Sequence, residues 1–347
     1  MMILAFLLAF LGSFLFGFYP QFNVFIVSLF TLGAGMAILQ VVINPLLRVA
    51  GGEEHYAFNS VLAQLIFGLA SFISPQMYSY LSVNIKQHNF EKPFIETLSH
   101  LVPETMSWVS VYWIFGIISL MMIALIALIR FPKVELQEDE KMGSKANYLE
   151  LFKNRNVILF FLGIFVYVGT EQGISYWMSK FLQDYHGINP ETGGADAVSY
   201  FWGLMTIGGV LGLILLKLWD SKKVLRWFTL LAIVSLAVGL FGESKLAFWS
   251  LAFSGFFLSV MYPIIISLAL NSVQKYHGAF TGILMTGIAG GAIIQIIIGA
   301  VSDFSSLRVG MFILFATLAY ILSISFWAKP IINNKTIRIK DLFKNDR

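Results

Sequence analysis

The sequence predicts an all-α polytopic membrane protein, with about ten helices of the ~20-residue length that crosses a bilayer, and three observations carry that prediction. Of the 347 residues, 58% are hydrophobic and only 12% are charged, with a mean hydropathy of +0.78. A soluble domain carries about 25% charged residues. The apolar residues fall in repeated blocks of roughly twenty, enough to cross a hydrocarbon core of about 30 Å. The basic residues collect at alternate ends of those blocks, as orientation in a membrane requires.

In chain order the spans are predicted at roughly 1–19, 21–47, 57–82, 107–130, 156–183, 197–218, 224–241, 246–270, 279–302 and 308–328. The first is apolar from Met1 onward; it has no basic leader and is too long for a signal-peptide core. The second contains GAGMAILQVVINPLLRV, Gly33 to Val49, where Gln40, Asn44 and Pro45 interrupt an apolar run. Gln40 and Asn44 share a helix face at i and i+4. The third carries Gln64 in NSVLAQLIFG, and the fourth is apolar to Arg130. The fifth holds FVYVGTEQGISYWMSKFL, with Glu171 deep inside it. Tyr200 and Trp202 open the sixth, Tyr262 precedes Pro263 in the eighth, and Gln295 lies in the ninth.

A polar segment from Phe131 to Asn156 separates spans four and five, with a short amphipathic helix predicted around Tyr148 to Phe152. The expected organisation is an N-terminal bundle of four spans (1–131), a cytoplasmic linker (132–155), a C-terminal six-helix bundle (156–329) and a basic cytoplasmic tail (330–347). With linker and tail on one side, that side holds 18 of the 23 lysines and arginines, so it is assigned to the cytoplasm. The net charge of +4 is then a topology signal and needs no nucleic-acid partner. The stretches around Pro45 and Pro263 are alike: an apolar helix with a proline past its middle, a short turn, then a helix rich in small residues. Aligned on the two prolines, the first half is about 65 residues shorter than the second, room for two spans of ~20 residues with their loops. Paired six-helix halves are a transporter architecture. The chain is thus expected to correspond to helices 3–12 of a twelve-helix fold.

Polar groups in a span are functional candidates because lipid offers them no partner. Glu171 is the only carboxylate deep in a span; Tyr167 and Ser175 lie on its face at i−4 and i+4, and Gln172 and Trp177 are close by. A desolvated carboxyl group readily becomes neutral, which suits proton or cation coupling. The alternative is a structural carboxylate satisfied by a tyrosine or the backbone. Gln40, Asn44, Gln64 and Gln295 carry amides, which donate and accept like sugar hydroxyls. Their alternative use is interhelical hydrogen bonding, and for Asn44 also satisfaction of the carbonyl that Pro45 frees. Tyr262 is an aromatic candidate for stacking on a sugar, against the commoner packing role. Gly169/Gly173, Gly208/Gly212 and Gly287/Gly291 are spaced for close helix contact. The five histidines fall in predicted loops, and there is no cysteine, no HExxH, no phosphate-binding glycine loop and no GxSxG. No enzyme activity, cofactor or metal is expected.

Several of these stretches resemble one family. GAGMAILQVVINPLLRVAGGEEHYAFNSVLAQLIFG is similar to the fourth-to-fifth helix signature of the fucose–galactose–glucose symporter family, within the major facilitator superfamily. YVGTEQGIS resembles the seventh-helix YVGAEV of its glucose/galactose branch, and MYPIIISLAL and MTGIAGGAIIQIIIGAVSD resemble its tenth and eleventh helices. GLILLKLWDSKKVLRW resembles the superfamily's turn between helices eight and nine. The resemblance implies a two-bundle transporter that moves monosaccharides with H+ or Na+ by alternating access. It places Gln40 where some fucose-transporting members carry a carboxylate, Gln64 on the glutamine of N-L-A-Q, and Glu171 on the seventh-helix acid. The chain departs from the pattern at Val61, Phe67 and Val42–Ile43, and has no counterpart of the acid on the family's first helix.

The expected function is therefore sugar:cation symport by a monomer in the bacterial inner membrane, with Glu171, Gln40, Asn44, Gln64, Tyr167, Gln172 and Tyr262 as candidate substrate and ion contacts. The alternative is a transporter-like membrane protein without transport activity, a degenerate paralogue or a sensor.

Overall fold

The computed structural model describes residues 1–51, 56–89, 92–129, 131, 145–273 and 275–331, without side chains at 44, 45, 47–51, 56–61, 104, 145 and 146. The linker from 132 to 144, the tail after 331 and the side chains of Asn44 and Pro45 lie outside the described residues. The chain forms two compact units, Met1–Glu135 and Leu136–Arg347. Every one of the ten predicted spans is helical. Among the described residues, eight helical segments are long and apolar enough to cross a membrane. The other two spans are the 17-residue first helix and the long, more polar third. Leu4, Leu7, Leu11, Phe30, Ile66, Leu120, Ile214 and Ile296 are exposed. So much outward apolar surface fits a lipid-facing perimeter. The protein is a multi-pass integral membrane protein.

The first unit contains α1 (Met2–Phe18), α2 (Phe22–Gly51), α3 (Tyr56–Lys86), α4 (Pro93–Leu101) and α5 (Ser110–Leu128). Small residues set the packing of α1 on α2. A methyl group on Gly12 would stand 2.9 Å from the Ser28 carbonyl oxygen, and one on Gly35 2.6 Å from that of Ala5. The pairs 12/28 and 5/35 make the two helices antiparallel. On the other side of α1, Gly17 lies under the indole of Trp113 from α5. A small core gathers Phe16, Leu81, Ile95, Leu98, Val109 and Trp113, and Ser82 and Ser107 share a buried hydrogen bond of 2.9 Å.

The sequence did not announce α4. It is nine residues long, opens on Pro93 and buries only Ile95 and Leu98. That i, i+3 pair is one face of a short surface helix, too brief for any span-length criterion. Its last turn holds His100, which the sequence had placed in a loop; His186 and His277 are likewise helix-terminal. The backbone of α2 stays helical through Pro45 to Gly51, so no helix end falls at that proline.

The second unit contains α6 (Lys145–Phe152), α7 (Arg155–His186), α8 (Ala195–Leu218), α9 (Ser221–Phe241), α10 (Ser244–Leu258), α11 (Met261–Leu270), α12 (His277–Thr286), α13 (Gly290–Phe304), α14 (Leu307–Met311) and α15 (Ile313–Trp327). Local chemistry marks several ends. The Asn154 side chain accepts from the Asn156 N–H to start α7, and Asp220 accepts from the N–H groups of Lys222 and Lys223 to start α9. These satisfy first-turn donors that have no partner inside the helix. Gly187, left-handed at φ 65°, ends α7. The eighth span divides between α10 and α11, at Ser259 and Val260. Pro263 has no N–H to return to the Ser259 carbonyl, which places the break one turn ahead of it. The core of this unit is centred on Phe160, Ile164, Ile174, Met178, Phe181, Phe201 and Phe280.

Candidate functional site

Helix α7 carries the site, and its neighbours set its rotation. Glycines bring α13 against it. A methyl on Gly290 would overlap the Phe165 carbonyl, and one on Gly169 would stand 2.9 Å from Ile294 Cβ. Gly173 opens to α15, where a methyl would meet Leu314 at 2.6 Å. The Thr170 hydroxyl is within 2.6 Å of the Thr317 hydroxyl on α15 in a fully buried contact, and the Tyr320 hydroxyl donates to the Leu159 carbonyl at 2.9 Å. With Gly169, Thr170 and Gly173 committed to α13 and α15, the face bearing Tyr167 and Glu171 turns toward α11.

Glu171 is the 17th of the 32 residues of α7, half-buried near the middle of the span. Both carboxylate oxygens are engaged. The Tyr167 hydroxyl donates to Oε2 at 2.6 Å, and the Gln172 amide donates to Oε1 at 3.1 Å. Tyr167 is itself 2% exposed. Its ring packs on that of Tyr262, the second residue of α11, with centroids 5.7 Å apart, and the Tyr262 hydroxyl donates to the Met285 sulfur of α12 at 3.6 Å. Among the described residues no lysine or arginine pairs with Glu171; Lys180 pairs with Asp184 toward the end of α7. The carboxylate is thus held by neutral donors. Such a group can take up a proton or face a small cation without first breaking a salt bridge.

Four of the candidates named from sequence, Tyr167, Glu171, Gln172 and Tyr262, therefore form one connected group. Gln40 on α2 and Gln64 on α3 are exposed and belong to the first unit. Asn44 lies in helical backbone, its side chain outside the described residues. Two participants escaped the sequence reading. Met285 is 23 residues from Tyr262, and Thr317 is 147 residues from Thr170; no periodicity links positions so far apart. The three small-residue pairs do lie at helix contacts: Gly208 and Gly212 of α8 against Phe256, Ser259 and Val260, and Gly287 and Gly291 against Phe161, Ile164, Val168 and Gln172 of α7. Among the described residues no group of three or more histidines, aspartates and glutamates is placed to hold a metal ion.

Comparison with known proteins gives a consistent picture. A family model described as the Major Facilitator Superfamily matches residues 1–294. The chain is 29% identical over 305 residues to a glucose/galactose transporter of Brucella abortus, covering 87% of this chain and 71% of that protein. It is 29% identical over 302 residues to the L-fucose-proton symporter of Escherichia coli, covering 82% and 66%. Among solved structures, the E. coli fucose:proton symporter superposes with a TM-score of 0.65 at 24% identity, covering 94% of this chain and 83% of that one. A bacterial homologue of the human lysosomal transporter Spinster superposes with a TM-score of 0.63 at 12% identity, covering 94% and 81%.

Proposed function

Because the chain belongs to the Major Facilitator Superfamily, we propose that it is a secondary active transporter that carries a monosaccharide across the membrane with a coupling cation, by alternating access. The printed names of the relatives support a neutral sugar of the glucose, galactose or fucose kind. The observation that carries coupling is Glu171, mid-span and held by Tyr167 and Gln172 with no cationic partner among the described residues. We read the coupling ion as a proton, with sodium as the alternative. A carboxylate bonded only to neutral donors needs just a reorientation of the Tyr167 hydroxyl to accept a proton, whereas a sodium ion must gather several oxygen ligands. Proton symport in the E. coli relative supports the same choice.

In this reading Glu171 is the coupling group, and Tyr167 and Gln172 position its two oxygens. Tyr262 offers an aromatic face to the sugar. Within the first unit, Gln40, Asn44 and Gln64 are proposed as substrate contacts from the donor and acceptor chemistry of their amides alone. The transporter acts as a monomer in a bacterial inner membrane, with linker and tail in the cytoplasm, as the distribution of lysine and arginine supports.

The test is uptake of radiolabelled D-glucose, D-galactose and L-fucose into proteoliposomes, with and without an inward proton gradient. The wild type is expected to accumulate one of these sugars only with the gradient. Glu171→Gln keeps the shape and one acceptor oxygen, puts an amide donor in place of the other, and cannot ionise. It should lose accumulation at least about tenfold, a barrier change of ~1.4 kcal/mol, while retaining sugar binding. Undiminished gradient-driven accumulation in that variant would remove Glu171 from coupling.

A further inference from the structure

Gln295 and Trp177 belong to no part of the group around Glu171, yet both carry polar atoms that the fold hides and leaves alone. Neither Nε2 nor Oε1 of Gln295 has a hydrogen-bond partner, nor has Nε1 of Trp177, and all three atoms are shielded from solvent. Buried polar atoms in native folds are nearly always paired. Three orphans on two adjoining helices therefore call for an explanation.

Their placement supplies one. Helices α7 and α13 run parallel, since Gly290 lies against Phe165, Ile294 against Gly169 and Ile298 against Gly173. On α13, residues 291, 295 and 299 lie at i, i+4 and i+8 and share a face. Both neighbours of Gln295 on that face are glycines. A methyl on Gly291 would stand 3.2 Å from Cγ of Gln172, and one on Gly299 would stand 3.5 Å from the Trp177 ring. Gln295 thus lies between these two contacts along α13, and the residues four before and four after it present no side chain. Gln172 in turn donates to Glu171. The row Tyr167, Glu171, Gln172, Gln295 and Trp177 extends the polar group from Gln172 to Trp177, about one and a half helical turns along α7.

We infer that Gln295 and Trp177 form a second contact point of the transport site, which binds a hydroxyl group of a neutral polyhydroxylated substrate. A hydroxyl suits the three orphans. Its oxygen accepts from Gln295 Nε2–H and Trp177 Nε1–H, and its proton is donated to Gln295 Oε1 or to a neighbouring acceptor. A carboxylate or phosphate would meet no positive charge here and would leave Oε1 without a donor. A wholly apolar ligand would leave all three unpaired. The inference rests on the sugar-transport reading above and adds to it residues, and a chemical selectivity, that Glu171 does not provide.

Equilibrium binding of D-glucose, D-galactose, L-fucose and their monodeoxy analogues to the purified full-length protein tests it. Gln295→Leu and Trp177→Phe are each expected to raise the Kd of the preferred sugar about tenfold, the scale of one lost hydrogen bond in a dry site. They should also abolish the wild type's discrimination against one particular deoxy analogue. Both variants remove a buried unpaired group, so thermal stability should hold or rise. If Gln295→Leu does not fold, Gln295→Met and Trp177→Phe carry the same comparison. Wild-type affinity and unchanged deoxy-sugar discrimination in folded variants would overturn the inference alone, and would mean that the orphans are satisfied by water. Absence of binding of every sugar by the wild type would instead sink the sugar-transport reading, and this inference with it.

Discussion

Two neutral donors on one carboxylate make Glu171 sensitive to the loss of either. The Tyr167 hydroxyl is the shorter of the two contacts, at 2.6 Å, and hydrogen bonds to charged groups contribute about 1.5–3 kcal/mol. Tyr167→Phe removes that donor and keeps the ring against Tyr262. It is expected to leave folding intact and to slow gradient-driven uptake by about tenfold or more, since each ~1.4 kcal/mol is one decade. Initial rates at saturating sugar check this, and a wild-type rate would show that the hydroxyl does not hold the carboxylate for transport. The pairing was legible in the sequence, because i and i+4 residues meet on any helix. The contact with Tyr262 was not. It joins residues 95 apart, and nothing in the local pattern of either segment selects the other.

At the scale of the element, the rotational setting of α7 rests on close backbone approach. Gly290 is its tightest point, where any Cβ would run into the Phe165 carbonyl. A carbonyl fixed in a helix cannot step aside as a side chain can. Gly290→Ala is therefore expected to destabilise the protein by about 1–3 kcal/mol, the usual scale of overpacking. Gly209→Ala is the matched control, because a methyl there meets nothing within 4 Å. It should be neutral or stabilising by up to ~1 kcal/mol, the helix preference of alanine over glycine. Thermal unfolding in detergent separates the two, and equal midpoints would deny the close approach a structural role. The small-xxx-small spacing pointed to helix contacts at all three pairs, but which helix each pair meets depended on the tertiary arrangement. The helix α4 was invisible for a related reason: its two buried residues acquire a core only when α3 and α5 fold beside them.

For the whole molecule, the absence of cysteine from the sequence makes sidedness directly testable with single introduced thiols. Lys223→Cys and Ser305→Cys place one thiol in each of two exposed positions at opposite ends of the spans of the second unit. If linker and tail are cytoplasmic, a membrane-impermeant maleimide applied to intact cells should label position 305 and not position 223, and the reverse result would invert the topology. Composition and periodicity were sufficient to determine the class of the protein, its ten spans and the side-chain chemistry available mid-membrane. Those properties follow from apolar length and from the cost of polar groups in lipid, both local quantities. The tertiary structure alone decided that Tyr262 packs on the tyrosine that holds Glu171, and that Gly291 and Gly299, one turn to either side of Gln295, lie against Gln172 and Trp177 while the Gln295 amide stays unpaired. The physical reason is that those relations depend on the relative rotation and register of helices far apart in the chain. Glycine contacts and buried hydroxyl pairs set that register, and no single segment encodes it.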